Sequence, residues 1–175
     1  MKKVLVVVDM QNDFVNGCLG SEEAREILPN VKKKILEYRK NGDTIIFTRD
    51  THDENYLQSQ EGKYLPVPHC ICGTDGWKIV DGLEVEGCQY IDKPNFGWIH
   101  WDTENLSDKD EIELIGVCTD ICVVSNALLI KAMYPETHIV VDASCCAGVT
   151  PESHRAALFT MKSCQIDVMN DTEIV

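Results

Sequence analysis

Short, uninterrupted runs of aliphatic residues recur along the chain and alternate with segments of helical periodicity. Such runs are typical of strands buried on both faces of a parallel sheet. We predict six strands: Lys3–Val8, which is such a run, and Thr44–Thr48, Gln89–Asp92, Glu111–Ile115, His138–Val141 and Gln165–Met169. The main helical patterns lie between them, at about 29–42, 122–133 and 151–163. The alternation predicts a three-layer α/β/α fold with a mostly parallel six-stranded sheet.

The size and charge of the chain limit its organisation and its partners. From 175 residues, 44% of them hydrophobic, we expect one domain spanning residues 1–175. The net charge of −13 argues against nucleic acid or an anionic membrane as a partner, because both bind basic surfaces. No apolar run reaches the ~18 residues of a membrane span and the first residues do not resemble a secretory signal, so we expect a cytoplasmic protein. Its nine cysteines would then be free thiols.

Four residues capable of chemistry follow four different predicted strands: Asp9, Asp50, Lys93 and Cys122. Because ligands bind at the carboxyl ends of parallel strands, we expect these side chains to share one edge of the sheet. A cysteine that attacks a carbonyl carbon needs a base to take its proton, and Asp9 suits that role. Lys93 would hold the neighbouring negative charges. The competing interpretation of Asp9 and Lys93 is a structural ion pair.

Cys122 is the candidate nucleophile because it follows a strand and opens a helical pattern. Thr119 and Asp120 are good helix N-cap residues, which would place Cys122 in the first helical turn. The helix dipole there favours the thiolate. The backbone N–H groups of Cys118 and Cys122 could form an oxyanion hole. Alternatively, Cys122 is a small buried residue at an ordinary strand-helix corner.

A metal site is predicted after the second strand. Asp50 and His52, with His69 in the long loop over 54–76, provide a carboxylate and two imidazoles, which suit Zn²⁺ and also Mn²⁺ or Fe²⁺. Glu61 is a further candidate ligand. The competing interpretation is that the histidines are solvated loop residues. Cys70 and Cys72 lack a second cysteine pair at zinc-finger spacing, which favours a structural role for them.

The ordered motifs of this chain resemble those of the isochorismatase-like cysteine hydrolases, and among them the nicotinamidases. Val8-Asp9-Met10-Gln11-Asn12-Asp13-Phe14 is similar to the opening motif of the family. Arg49-Asp50-Thr51-His52 and Pro68-His69-Cys70-Ile71-Cys72-Gly73-Thr74 are similar to its metal segment. Lys93 and Gly116-Val117-Cys118-Thr119-Asp120-Ile121-Cys122-Val123 complete the set. The resemblance extends essentially from one end of the chain to the other.

This resemblance implies a specific chemistry. Asp9, Lys93 and Cys122 would form a catalytic triad that hydrolyses a small amide through a thioester, releasing ammonia. A cis peptide would join Val117 to Cys118. For nicotinamide, which is hydrolysed in NAD recycling, one divalent metal ion would hold the pyridine nitrogen.

The resemblance also assigns residues around the substrate. Phe14 matches the aromatic residue that stacks on the ring, and Tyr64 lies one position before the place of a second aromatic residue, which is Leu65 here. Family members usually self-associate, so a homo-oligomer is expected. Two alternatives stay open: an amidase or carbamoyl hydrolase acting on another small amide, and a thiol-based redox sensor without catalysis on the same fold.

Overall fold

The computed structural model describes residues 2–171 and contains one six-stranded sheet. Its strands are β1 Lys3–Val8, β2 Thr44–Asp50, β3 Gln89–Lys93, β4 Glu111–Val117, β5 His138–Ala147 and β6 Asp167–Met169. The strand order is β3-β2-β1-β4-β5-β6, and each neighbouring pair is parallel. β1 therefore lies inside the sheet, between β2 and β4, which is consistent with its uninterrupted apolar sequence.

Helices connect the strands and cover the sheet. They are α1 Asn12–Val15, α2 Glu22–Glu26, α3 Leu28–Asn41, α4 Gln60–Tyr64, α5 Val124–Met133 and α6 Pro151–Ser163. Short 3₁₀ turns occur at Tyr56–Gln58 and Trp101–Thr103, and a π turn at Thr119–Val123. α3 carries Pro29 in its first turn and ends at Gly42, whose φ of 75° is the left-handed conformation common after a helix. Among the helices of residues 2–171, none combines the length and the apolar character that crossing a membrane requires.

The apolar side chains of β1 alternate between two cores. Val4 and Val6 contribute to the core that includes Ile130 of α5 and Leu158 of α6. Leu5 contributes to the core on the other face, which includes residues of α3. Helices therefore cover both faces of the sheet, and the predicted three-layer α/β/α fold is confirmed.

Several strand ends differ from the prediction because pairing with neighbours decides where a strand stops. β2 continues to Asp50, since Arg49 and Asp50 still pair with β3. β5 extends to Ala147, because it resumes pairing with β4 beyond an irregularity near Gly116. β6 begins only at Asp167. The predicted loop over 54–76 contains α4 and a 3₁₀ turn.

Gly116 allows β4 to approach β1 closely. Its φ is +118°, and a Cβ placed on it would lie 2.1 Å from the Val8 carbonyl oxygen. We expect Gly116→Ala to destabilise the protein by about 1–3 kcal/mol for the unfavourable backbone conformation and by about 1–3 kcal/mol for the steric overlap. Urea unfolding measures the change. Gly87→Ala is the matched control, because Gly87 also has a positive φ but no atom within 4 Å of the added Cβ. Equal losses of stability in the two variants would contradict this interpretation.

Candidate active site

The carboxyl edge of the sheet brings together the four side chains singled out in the sequence. Asp9 directly follows β1, Asp50 and Lys93 are the last residues of β2 and β3, and Cys122 lies in the π turn after β4. All four side chains are buried. The strand order places β3, β2, β1 and β4 side by side, so residues distant in sequence meet at one point.

Lys93 lies at the centre of this group and is completely buried. Its Nζ is 2.6 Å from Asp9 Oδ2, 3.6 Å from Cys122 Sγ and 3.5 Å from Asp50 Oδ1. Thr48 Oγ1 donates a hydrogen bond of 2.7 Å to the other carboxylate oxygen of Asp9. Within residues 2–171, no group donates a hydrogen bond of regular geometry to Asp9 Oδ2, although this oxygen forms a short ion pair with Lys93. This oxygen therefore retains the capacity to accept a proton.

The charges of the site determine which groups are ionised at rest. Burial would lower the pKa of Lys93, but Asp9, Cys122 and Asp50 outweigh it and raise that pKa, so the ammonium is retained. Burial, followed by the charge of Asp9, raises the pKa of Cys122 well above its ordinary value. Cys122 is therefore a thiol at rest, and the expectation that the helix dipole favours its thiolate is not met. Burial also raises the pKa of Asp9, which makes its carboxylate a stronger base.

The turn that carries Cys122 is built differently from the predicted N-cap. Cys118 occupies the position before the first turn, and the peptide bond joining Val117 to Cys118 is cis. The expectation that Thr119 or Asp120 caps the helix is wrong, because both lie within the π turn and their side chains bind other segments. Thr119 Oγ1 is 2.8 Å from His154 Nδ1, and Asp120 Oδ1 accepts a hydrogen bond of 3.0 Å from the Val149 N–H.

The four predicted metal ligands form one cluster: Asp50, His52, Glu61 and His69. Their potential ligand atoms all lie within 4.8 Å of one another. His52 Nε2 is 2.9 Å from Asp50 Oδ2 and 3.5 Å from Glu61 Oε1, whereas His69 Nε2 is 3.4 and 3.7 Å from the same two atoms. Ligands about 2.0–2.2 Å from a tetrahedral Zn²⁺ lie roughly 3.3–3.6 Å apart. The donor set and its spacing therefore fit a divalent metal ion.

Residues outside the cluster orient these ligands. Two of these orienting residues, Gln11 and Asp13, were not identified from the sequence. His69 Nδ1 is 2.8 Å from the Val67 carbonyl oxygen, which leaves Nε2 facing the cluster. The buried Gln11 side chain donates to the carbonyl oxygen of Asp50 and accepts from its N–H, at 2.9 and 2.7 Å. Asp13 Oδ2 accepts a hydrogen bond of 2.8 Å from the Cys70 N–H, next to His69. The available signal was the position of Gln11 and Asp13 in the loop that directly follows Asp9.

The pKa values of the two carboxyl groups in the cluster shift in opposite directions. Burial would raise the pKa of Asp50, but hydrogen bonds with His52 and His69 and the charge of Lys93 lower it below the usual range. Burial and the charge of Asp50 raise the pKa of Glu61. Asp50 is therefore anionic in this cluster and contacts both the histidines and Lys93. It links the candidate metal site to the candidate triad.

A cavity of about 350 Å³ opens beside these groups. Cys118, Cys122, Asp50, Glu61 and His69 reach it. The rest of its wall is mainly apolar and includes Phe14, Leu19, Leu65, Phe96, Ile121 and Val149. A mainly apolar cavity with a few polar groups is typical of a small-molecule site.

The structure places the two predicted ring-contacting residues differently. Phe14 lines the cavity, and its ring centroid is 5.4 Å from that of His69. Tyr64 does not reach the cavity, because its side chain is 84% exposed at the end of α4. The next residue, Leu65, lines the cavity instead. The assignment of Tyr64 to substrate binding is therefore corrected.

This fold is that of a known family. The family model described as "Isochorismatase domain" matches residues 3–173. The chain belongs to the isochorismatase family of hydrolases, and the resemblance predicted from its motifs is confirmed.

Relatives and solved structures of similar length support this assignment. The chain is 30% identical to a probable inactive nicotinamidase of Arabidopsis thaliana over 181 residues, covering 91% of this chain and 87% of the relative. The crystal structure of the nicotinamidase PncA from Bacillus subtilis has a TM-score of 0.84 at 29% identity, covering 96% of this chain and 99% of that one. The structure of the Pyrococcus horikoshii pyrazinamidase in complex with zinc has a TM-score of 0.83 at 28% identity, covering 97% and 99%.

Proposed function

We propose that this protein is a metal-containing nicotinamidase that hydrolyses nicotinamide to nicotinate and ammonia. The observation that carries the proposal is that Asp50 contacts both the candidate triad and the candidate metal ligands beside one cavity. Its Oδ1 faces Lys93 of the triad at 3.5 Å, and its Oδ2 faces His52 and His69 at 2.9 and 3.4 Å. The Cys122 thiol and three of the four candidate metal ligands, Asp50, Glu61 and His69, therefore border the same mainly apolar cavity.

The first half of the reaction forms a thioester. The Asp9 carboxylate takes the proton of the Cys122 thiol, and the sulfur attacks the amide carbon. The backbone N–H groups of Cys118 and Cys122 donate to the oxyanion of the tetrahedral intermediate. Asp9 then gives its proton to the leaving nitrogen, the carbon-nitrogen bond breaks and ammonia departs. Lys93 stays protonated throughout and balances the negative charges around it.

The second half regenerates the thiol. Asp9 takes a proton from a water molecule, whose oxygen attacks the thioester carbon. Collapse of this second tetrahedral intermediate breaks the carbon-sulfur bond and releases the carboxylic acid. The proton on Asp9 returns to the Cys122 sulfur. The buried Asp9, with its raised pKa, thus serves as base and acid in turn.

The metal ligands favour an aromatic nitrogen heterocycle as the substrate. Asp50, His52, His69 and Glu61 would hold the ion, which when bound supplies a Lewis-acidic coordination position for a ring nitrogen. Phe14, beside His69, would pack against the ring. The apolar side chains of the wall would contact the rest of the ring.

A second candidate function is hydrolysis of a different small amide with the same triad. Leu65 favours it, because an aliphatic side chain stands where the family resemblance leads one to expect an aromatic residue. A non-aromatic amide would need no ring nitrogen at the metal ligands. The two functions therefore differ in substrate class and in their dependence on metal.

Ammonia release from a panel of amides tests the proposal. The panel contains nicotinamide, pyrazinamide, benzamide and a small aliphatic amide, and the protein is tested after chelation and after addition of Zn²⁺, Mn²⁺ or Fe²⁺. We expect metal-dependent turnover of nicotinamide and pyrazinamide, with benzamide poor because it lacks a ring nitrogen. Metal-independent turnover confined to the aliphatic amide would support the second candidate function instead.

Metal binding can be tested without turnover. We expect the metal-stripped protein to bind about one Zn²⁺ per chain in calorimetric titrations. His69→Ala should weaken binding by more than about 100-fold, because loss of an outer-shell partner alone typically costs 10–100-fold. Glu61→Gln should also weaken it if its carboxylate is a direct ligand. His100→Ala is the control, since His100 lies outside the cluster. Equal affinity in His69→Ala and His100→Ala would contradict the assignment.

A further inference from the structure

One wall of the cavity is held mainly through its backbone. Phe96 lines the cavity, yet its side chain is 44% exposed, so packing around the ring does not fully fix it. It belongs to the 94–101 segment, which connects β3 to the 3₁₀ turn at Trp101. Lys93 Nζ donates to the Asn95 carbonyl oxygen at 3.2 Å, which ties the start of the segment to the triad.

Tyr134 Oη donates to the Trp101 carbonyl oxygen at 3.0 Å, and three further hydrogen bonds join the segment to Asn126. Asn126 lies in α5, four residues after Cys122, and is completely buried. Its Oδ1 accepts hydrogen bonds from the Trp98 N–H at 2.9 Å and from the Trp101 indole Nε1–H at 3.1 Å. Its Nδ2 donates to the carbonyl oxygen of Phe96 at 3.1 Å and to that of Cys122 at 2.8 Å. One amide thus joins the cavity wall to the residue of the nucleophile.

The hydrogen-bonding partners of Asn126 allow only one orientation of its amide. Both groups that face Oδ1 are N–H donors, and both groups that face Nδ2 are carbonyl acceptors. A flipped amide would set donors against donors and acceptors against acceptors. The network also uses both N–H donors and two acceptor positions of the side chain. Removing it would leave buried polar groups unpaired on two segments at once.

We propose that Asn126 is a positioning residue that sets the spacing between the Phe96 wall and Cys122, and thereby the affinity of the site for ring amides. Asn126 does not line the cavity, so it acts through Phe96 and through the carbonyl group of Cys122. The substrate part of this inference rests on the proposed nicotinamidase function. The positioning part does not, because it depends only on contacts within the chain.

A kinetic double-mutant cycle tests the substrate part. Asn126→Leu keeps a side chain of similar size but removes the four hydrogen bonds. We expect it to raise KM for nicotinamide by about tenfold, and to raise KM by less than about twofold when Phe96 is already alanine. The loss in kcat that comes from the Cys122 carbonyl bond should persist in the double variant. Equal, independent increases in KM would overturn the route through Phe96.

Alkylation of Cys122 tests the positioning part without turnover. The rates of reaction with iodoacetamide and with the bulkier 2-iodo-N-phenylacetamide are followed by mass spectrometry of the Cys122 peptide. Their ratio reports how much room the wall leaves beside the sulfur. We expect Asn126→Leu to shift this ratio towards that of Phe96→Ala, and the double variant to match Phe96→Ala. If the protein does not turn over nicotinamide, the alkylation result still stands. The nicotinamidase function and the positioning role of Asn126 can therefore be contradicted independently.

Two further variants separate positioning from general instability. Tyr38→Phe removes a buried hydrogen bond of 2.6 Å to Glu113 near the start of β4, so it should lower stability without changing the alkylation ratio. Trp101→Phe removes one of the four hydrogen bonds of Asn126, together with part of a buried ring, and should shift the ratio in the same direction by a smaller amount. The second variant carries the test if Asn126→Leu does not fold. An unchanged ratio in folded Asn126→Leu, or in Trp101→Phe, overturns the proposal.

Discussion

Replacing Cys122 with alanine is expected to lower the rate of ammonia release by about 10⁴-fold or more, which corresponds to at least about 5.4 kcal/mol of lost barrier reduction. Without the sulfur no thioester forms, and Asp9 and Lys93 do not replace it as a nucleophile. The substitution removes only one heavy atom, Sγ, from a buried side chain. Measurements of kcat/KM and of the melting temperature should therefore show a folded but inactive protein.

Cys164→Ser serves as the control for this variant, because Cys164 is an exposed thiol that follows α6. Its activity should equal that of the unmodified protein. Residual activity in Cys122→Ala above about 1% would contradict the nucleophile assignment, since a missing nucleophile leaves only binding and oxyanion stabilisation. Cys118 does not offer a substitute thiolate, because burial raises its pKa to about 12. The same pKa argues against Cys118 as the reactive thiol of a redox sensor.

Asp9→Asn is expected to reduce kcat by about 10²–10⁴-fold, the range that a positioned general base contributes. The amide does not accept the thiol proton, and Cys122 is protonated at rest. The same variant should be less stable, by up to about 3–5 kcal/mol, because Lys93 loses its ion-pair partner at 2.6 Å while remaining buried. Asp50, at 3.5 Å from Lys93 Nζ, offsets part of that loss.

The pH dependence of the unmodified enzyme provides a second measurement of the Asp9 role. In the proposed mechanism Asp9 acts as a carboxylate in the first step, so kcat/KM should fall as pH falls through the pKa of Asp9. Because burial raises that pKa, the acidic limb should lie above the ordinary range for aspartate. Full activity in Asp9→Asn, or an acidic limb within the ordinary aspartate range, would contradict the assignment of Asp9 as the base.

The sequence predicted the central strands of the sheet well because several of them, such as β1, are runs of apolar residues. β1 and α6 were assigned with the bounds that the structure has, since the first is an isolated aliphatic run and the second is bracketed by Pro151 and Ser163. The ends of β2 and β5 depend instead on how far a neighbouring strand continues, as with Asp50 paired to Lys93. That information is not present in the segment itself.

Site residues placed by the end of a strand were predictable from the sequence. Residues that act through contacts with other segments were not. Asp9, Lys93 and Cys122 each follow a strand, so topology alone brings them to one edge. The sequence around Asn126 does not indicate its positioning role, because that role arises from contacts with a segment about 25–30 residues earlier in the chain. Tyr64 was assigned by its nearness in sequence to the metal segment, but the short helix α4 turns its side chain to solvent.

The protonation state of Cys122 is a further property that sequence position did not give. A helix start favours the thiolate, but Cys122 is buried and faces Asp9 and Asp50 as well as Lys93. The one ammonium group of Lys93 does not compensate for burial and the two neighbouring carboxylates. Burial therefore decides the outcome, and the base becomes indispensable to the mechanism.

In the proposed mechanism, Cys122 carries the acyl group of a ring amide during turnover. The direct measurement is to mix the metal-loaded protein with excess nicotinamide, quench in acid within the first turnovers and analyse the peptides by mass spectrometry. The mechanism predicts a nicotinoyl group on the Cys122 peptide, absent in Cys122→Ala and lost on longer incubation without substrate. Release of ammonia with an unmodified Cys122 peptide, in a quench that preserves a thioester standard, would contradict it.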